Sequence, residues 1–248
     1  MEPIKSRGIV IRQVNYGDYD KMLTVLTYEH GKISVSAKGV RGMKNKNRAA
    51  CELLCYNEFV LSRPKGEVYG LNQCSCIESF YKLRTDLTRL ALGIYMADLA
   101  GQLSLEDMGA ALKLLLNSLY MLGDGENDIF LMKLIYDLKL LKVAGLTPET
   151  EECVNCQSRK GPFSFRALSG GVLCRKCAYE AGLKPINERA LKLTDYILKK
   201  NLSVSLYKTK ADRETVNAAL DMAEAFIAVH IKEEIKTLEY FRKLVKMQ

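Results

Sequence analysis

Four cysteines in two pairs constrain this chain more than any other feature: Cys153-Val-Asn-Cys156, seventeen intervening residues, then Cys174-Arg-Lys-Cys177. Each Cys-x-x-Cys turn brings two thiolates to one side of a tight knuckle, and two knuckles close a tetrahedron around Zn2+ with no position left for water. The pattern therefore predicts one structural zinc. A redox pair would need a thioredoxin-like βαβ setting, which the flanks lack. An iron–sulfur cluster also takes four cysteines, but the surroundings are charged, glycine-rich turns without other redox machinery; metal-free thiols are the remaining alternative. Gly161-Pro162 and Ser169-Gly170-Gly171 flank two short runs, Phe163-Ser164-Phe165 and Val172-Leu173, which are expected to pair as the ribbon carrying the knuckles. Cys51, Cys55, Cys74 and Cys76 fall in expected strands and read as buried apolar residues.

A chain of 248 residues with 48% hydrophobic content holds a sizeable core, so disulfides are not needed to fold it. The start, Met1-Glu2-Pro3-Ile4-Lys5, lacks a basic region followed by an apolar one, and the richest apolar stretch, near Leu112 to Leu122, is broken by Lys113 and Asn117. The expectation is a cytoplasmic chain without a membrane anchor, whose cysteines are thiols or metal ligands. Lysine and arginine outnumber aspartate and glutamate by 37 to 29, a formal +8 that favours an anionic partner, although ordinary solubility charge gives the same number. The excess is uneven. Residues 1–79 carry +4, residues 80–150 carry −2, and residues 151–185 and 186–248 carry +3 each. Between Glu29 and Glu52 stand Lys32, Lys38, Arg41, Lys44, Lys46 and Arg48 with no acid among them.

Texture divides the chain at the same places. Gly8 to Val14, Lys21 to Tyr28 and Lys32 to Lys38 read as strands separated by turn signals at Asn15-Tyr16-Gly17-Asp18 and Glu29-His30-Gly31. The third is the cleanest, because Ile33, Val35 and Ala37 alternate with polar residues. Leu53 to Ser62, the turn Arg63-Pro64-Lys65-Gly66 and a final pair of short runs from Glu67 to Ile77 follow. Five strands in about 80 residues fit a small, partly closed barrel such as an OB-fold. From Tyr81 the period becomes helical: Leu83, Leu87, Leu90, Ile94 and Leu99; then Met108 to Leu122; then the stripe Leu131, Leu134, Ile135, Leu138 and Leu141, stopped by Gly145 and Pro148. The fold class is α+β: an N-terminal OB-fold β-barrel (1–79), a central helical bundle (80–150), an inserted four-cysteine zinc ribbon (151–185), and C-terminal helices packing on the bundle (186–248). No phosphate-binding G-x-x-x-x-G-K-S/T loop occurs, and His30, on a turn, and His230, in a helical stretch, offer no triad. The residues argue for binding without turnover.

Four ordered motifs resemble the RecO family of bacterial DNA-repair proteins. The opening shows Gly8-Ile-Val-Ile-Arg12, Tyr16-Gly-Asp-Tyr-Asp20, Leu26-Thr-Tyr-Glu-His-Gly-Lys32 and Ala37-Lys-Gly-Val-Arg41; Ile77-Glu-Ser-Phe-Tyr-Lys-Leu-Arg-Thr-Asp-Leu87 is similar to the family's strand-to-helix junction; the zinc segment around Phe163 and Cys174 and the closing His230-Ile-Lys-Glu-Glu-Ile-Lys-Thr-Leu follow in order. The resemblance implies a recombination mediator that binds single- and double-stranded DNA, anneals complementary strands, engages the C-terminal tail of the single-stranded-DNA-binding protein and, with RecR, helps load RecA. Some relatives lack the cysteines, which implies a metal that holds a fold and performs no chemistry.

Placed on a barrel, the basic run reads as a flexible loop tracking phosphates by charge: Lys38, Arg41, Lys44, Lys46 and Arg48, assisted by Lys32 and Arg12. Tyr16 and Tyr19 are candidates to stack on bases, or alternatively to pack at the barrel edge. Arg175 and Lys176 beside the second knuckle are expected to extend the track, with Arg159, Lys160, Lys199, Lys200, Lys208 and Lys210 as weaker candidates. A zinc-ribbon factor that reads sequence is the competing class, and a zinc hydrolase or thiol oxidoreductase the next.

Overall fold

The computed structural model describes residues 3–231 and 234–247, without the side chains of residues 63–65. Met1 and Glu2 of the start, and Lys232 and Glu233 of the closing motif, therefore lie outside the described residues. Two compact units emerge: Met1–Asp124 with Ile235–Gln248, and Gly125–Glu234. The texture changes near residues 79, 150 and 185 mark shifts of local period and do not coincide with the limits of these units.

In the first unit, strands β1 (Ile4–Tyr16), β2 (Asp20–Thr27), β3 (Lys32–Ala37), β4 (Tyr56–Lys65) and β5 (Val68–Glu78) close a barrel in the order β1-β2-β3-β5-β4. The order is that of an OB-fold: β3 and β5 pair in parallel, and β1 pairs with both β2 and β4. Alternation along the strands buries Val10, Leu23, Val25, Ile33, Val35, Phe59 and Leu61 inside the barrel. Gly8 is required where β1 crosses β2, since a Cβ there would lie 2.7 Å from the Leu26 carbonyl oxygen. The expected pair of short runs after Gly66 is instead the single strand β5. Register shifts along the β4–β5 ladder absorb the irregularity that breaks the sequence pattern. Cys51 and Cys55 lie in the turns between β3 and β4, not in strands; they are buried with Cys74, whereas Cys76, expected inside, is exposed.

Helices α1 (Leu87–Gln102) and α2 (Met108–Gly123) belong to the barrel's unit, each started by an aspartate, Asp86 or Asp107, whose carboxylate accepts first-turn amide protons. Helix α1 packs on β1. In the second unit, α3 (Ile129–Val143) is buried on every side from Leu131 to Leu141. The ribbon strands β6 (Phe163–Arg166) and β7 (Gly171–Cys174) lead into α4 (Arg175–Glu180), followed by α5 (Glu188–Lys199), α6 (Val204–Tyr207) and α7 (Arg213–His230). Helices α5 and α7 cover α3. The last helix, α8 (Lys236–Lys246), returns to the first unit and packs on α1, where Thr237 donates to Asp98 at 2.7 Å. No helix among the described residues is long and apolar enough to cross a membrane.

Candidate metal centre and nucleic-acid interface

The first knuckle is a tight turn in which Gln157 N–H donates to the Cys153 carbonyl (2.8 Å) and Cys153 N–H to the Ser158 carbonyl (2.9 Å). The second is built by the ribbon. Phe163 pairs with Cys174 in the β6–β7 ladder, so Cys174 ends β7 and opens α4, and Cys177 follows on the first turn of that helix. Glu149 locks the ribbon edge, because its N–H donates to Gly170 and its carbonyl accepts from Val172. A side chain at Gly171 would meet the Glu149 carbonyl oxygen at 2.4 Å, so that position must be glycine.

The four Sγ atoms lie within 4.8 Å of one another, and Cys156 and Cys174 are 3.6 Å apart. A tetrahedral zinc with Zn–S of about 2.3 Å requires an S···S edge of about 3.75 Å. The donor set therefore fits a single structural Zn2+ held by Cys153, Cys156, Cys174 and Cys177, with every position filled by protein. Burial pushes the Cys153 thiol up, but the amide groups of Cys174, Cys156 and Asn155 more than offset it and hold this thiol down at about 6.

The basic run between β3 and β4 is ordered. Consecutive turns tie Gly42 N–H to Gly39, Asn45 to Gly42, Arg48 to Asn45 and Cys51 to Asn47. The Asp20 carboxylate accepts the Gly39 amide at 2.7 Å, and the Asn45 side chain donates to the Gly39 carbonyl at 3.0 Å. Val40, Ala50 and Cys51 drop into the barrel core beneath these turns. At the far end, Glu52 accepts from the buried Lys21 ammonium (2.8 Å) and from Gln13 (3.3 Å). Burial raises the Glu52 carboxyl, but its bonds to Lys21 and Gln13 leave it below the usual carboxylate range. The expected flexible loop is instead a folded, hydrogen-bonded shelf, because its apolar residues close one end of the barrel.

On that shelf Lys38, Lys44, Lys46 and Arg48 are exposed and have no acidic partner among the described residues. Arg41 binds the β1–β2 turn, its amide donating to the Tyr19 carbonyl (2.9 Å) and its guanidinium to the Gly17 carbonyl (3.0 Å). Tyr16, which ends β1, and Tyr19, on the β1–β2 turn, are 66% and 65% exposed. Arg41 thus ties the shelf to the backbone of the turn that follows Tyr16 and carries Tyr19. Met43, 90% exposed between Arg41 and Lys44, is an apolar member of the shelf that sequence reading passed over. Arg12 is exposed on β1 opposite Thr24. Arg175 and Lys176 are exposed on α4, in the other compact unit.

Lys32 is different. Its ammonium donates to the carbonyls of Gly101 and Leu103, both at 2.9 Å, and so caps the C-terminal end of α1; burial lowers its pKa. Alternation along β3 shows only that Lys32 points out of the barrel, and cannot show that a helix end from 69 residues downstream sits over it. A second group hidden from sequence is the buried Lys133, paired with Asp137 at 2.6 Å and Glu224 at 2.8 Å inside the second unit.

Comparison with known proteins gives one answer across the chain. Residues 1–80 match the family described as "Recombination protein O N terminal", and residues 84–239 match "Recombination protein O C terminal". "DNA repair protein RecO" of Acetivibrio thermocellus is 32% identical, with both chains covered in full. The protein of the same name from Bacillus pumilus is 30% identical over 98% of this chain and 97% of its own. That from Bacillus subtilis is 34% identical over 86% of each. With a closed five-stranded barrel, a helical region and a four-cysteine centre in the order of these matches, the chain belongs to the RecO family, general mediators of DNA repair and recombination that work without catalysis.

Proposed function

We propose that the shelf between β3 and β4 is the principal DNA contact. Lys38, Arg41, Lys44, Lys46 and Arg48 neutralise phosphates, Tyr16 and Tyr19 stack on bases, and Arg12 contributes from β1. Lys32 has no part in it, since its ammonium is committed to the end of α1. Arg175 and Lys176 give the zinc module a subsidiary basic contact. The reading is carried by one observation: exposed cations with no acidic partner among the described residues, on a folded shelf that Arg41 bonds to the turn next to the exposed Tyr16 and Tyr19. Such a surface binds single and double strands by charge and by stacking, without a base code.

Annealing follows physically. Neutralising the phosphates of two complementary strands lowers the repulsion that separates them, and no nucleotide hydrolysis is needed. On this reading the protein engages the C-terminal tail of the single-stranded-DNA-binding protein and, with RecR, helps load RecA on coated DNA in the cytoplasm, at the nucleoid. The test is to mix zinc-loaded protein with complementary strands coated by single-stranded-DNA-binding protein, without ATP. Duplex formation well above the spontaneous rate is expected. Failure at low salt would refute the proposal, and strong discrimination between DNA sequences at fixed salt would favour a sequence-reading factor.

A further inference from the structure

Four cysteines are assigned to the metal; the other four are not explained by it. Two of these touch. Cys51, on the shelf, is fully buried, Cys74, on β5, is 7% exposed, and their Sγ atoms are 3.8 Å apart. One residue holds both backbones in place: the Asn47 carbonyl accepts the Cys51 amide at 3.1 Å, and the Asn47 side-chain oxygen accepts the Cys74 amide at 3.2 Å. A disulfide needs about 2.05 Å between sulfurs, so bond formation asks the pair to close by about 1.8 Å. Cys55 is buried elsewhere in the same turns and bonds the Ala49 carbonyl, while Cys76 faces solvent.

We infer that Cys51 and Cys74 are a redox modification site, a dithiol that oxidises reversibly to a disulfide fastening the basic shelf to β5. The hydrogen bond from Cys51 lowers the Cys74 thiol below its ordinary value and, together with burial, raises that of Cys51, which marks Cys74 as the first nucleophile. The co-reactant is a low-molecular-weight disulfide. The Cys74 thiolate attacks one of its sulfurs and expels a thiolate; Cys51 then attacks the mixed disulfide at the Cys74 sulfur and expels the second. One S–S bond breaks and one forms. The two cysteines lose two electrons and two protons, which leave on two small thiols. Entry to the buried pair comes through local opening of the shelf, whose bonds are isolated turns with no strand ladder.

The consequence for DNA rests on the reading of the shelf as the contact surface: cross-linking fixes that surface in its closed form. The cross-link itself is independent of that reading and is scored without DNA. Zinc-loaded full-length protein is treated with hydroxyethyl disulfide, alkylated after denaturation and mapped by mass spectrometry without reduction. The expected product is a peptide pair joined through Cys51 and Cys74, lighter by two hydrogens, with zinc retained and tryptic cleavage at Lys44 and Lys46 slowed roughly tenfold or more. Reducing agent should restore both thiols. Recovery of Cys51 and Cys74 fully alkylated, or cross-links confined to Cys55 and Cys76, overturns the inference. The map is made on the unaltered chain, so it does not depend on whether a Cys51→Ser or Cys74→Ser variant folds.

Discussion

Replacing Lys32 with methionine separates a structural lysine from a DNA-binding one. The ammonium makes two bonds of 2.9 Å to the carbonyls of Gly101 and Leu103. Bonds from a charged donor contribute about 1.5–3 kcal/mol each when fully desolvated, and a cation at a helix C-terminus adds about 0.3–1 kcal/mol. Lys32 is only half-buried, so water replaces much of each bond in the variant; the net loss is about 1–2 kcal/mol. For a unit of this size that lowers the melting temperature by roughly 3–6 °C. Amide exchange at the end of α1, including the Leu103 amide that bonds Leu99, should speed up by about tenfold. Thermal melts and hydrogen exchange measure both, and fluorescence anisotropy with a labelled oligothymidine measures DNA affinity against salt. Affinity and salt slope should match the parent. Unchanged stability, with the salt slope reduced by about 0.7, would show the ammonium on a phosphate and refute the reasoning.

Further outcomes follow from other contacts. Glu52→Gln should cost about 1 kcal/mol at pH 7, allowing for a half-exposed carboxylate, by urea denaturation. Because the folded carboxyl titrates below its ordinary value, that contribution is present above about pH 4.5 and is lost as pH falls through the folded value, so parent and variant should converge in acid. Gly171→Ala forces a Cβ against the Glu149 backbone and should destabilise the zinc ribbon by about 2–3 kcal/mol, seen as a lower melting temperature and easier loss of zinc to a chelator. Cys177→Ser should drop the zinc-to-protein ratio from one towards zero and unfold the ribbon.

What the sequence makes legible depends on how local the cause is. The zinc ligands are readable because thiolate convergence is written in a two-residue spacing, and β3 is readable because Ile33, Val35 and Ala37 alternate. The shelf's cations can be listed from sequence, but its packing cannot, since Val40, Ala50 and Cys51 anchor it by filling a barrel end that only the closed sheet creates. Lys32 misleads because its partner, the end of α1, is distant in the chain, and the same distance hides the pairing of Lys133 with Glu224. The stripe on α3 predicts one apolar face, yet α3 is buried on all sides because α5 and α7 cover it, and the pairing of Lys133 with Asp137 and Glu224 makes that burial tolerable.

The most direct test of the account is the salt dependence of single-strand binding by a Lys44→Ala, Lys46→Ala, Arg48→Ala triple variant. These side chains are exposed and make no described ion pair, so folding and zinc content should be unchanged. Each lost phosphate contact removes about 0.7 from the slope of log affinity against log salt, so the slope should fall by about 2, with weakening alike across DNA sequences. A folded, zinc-loaded variant with the parent's slope and affinity would contradict the assignment of the shelf as the DNA contact.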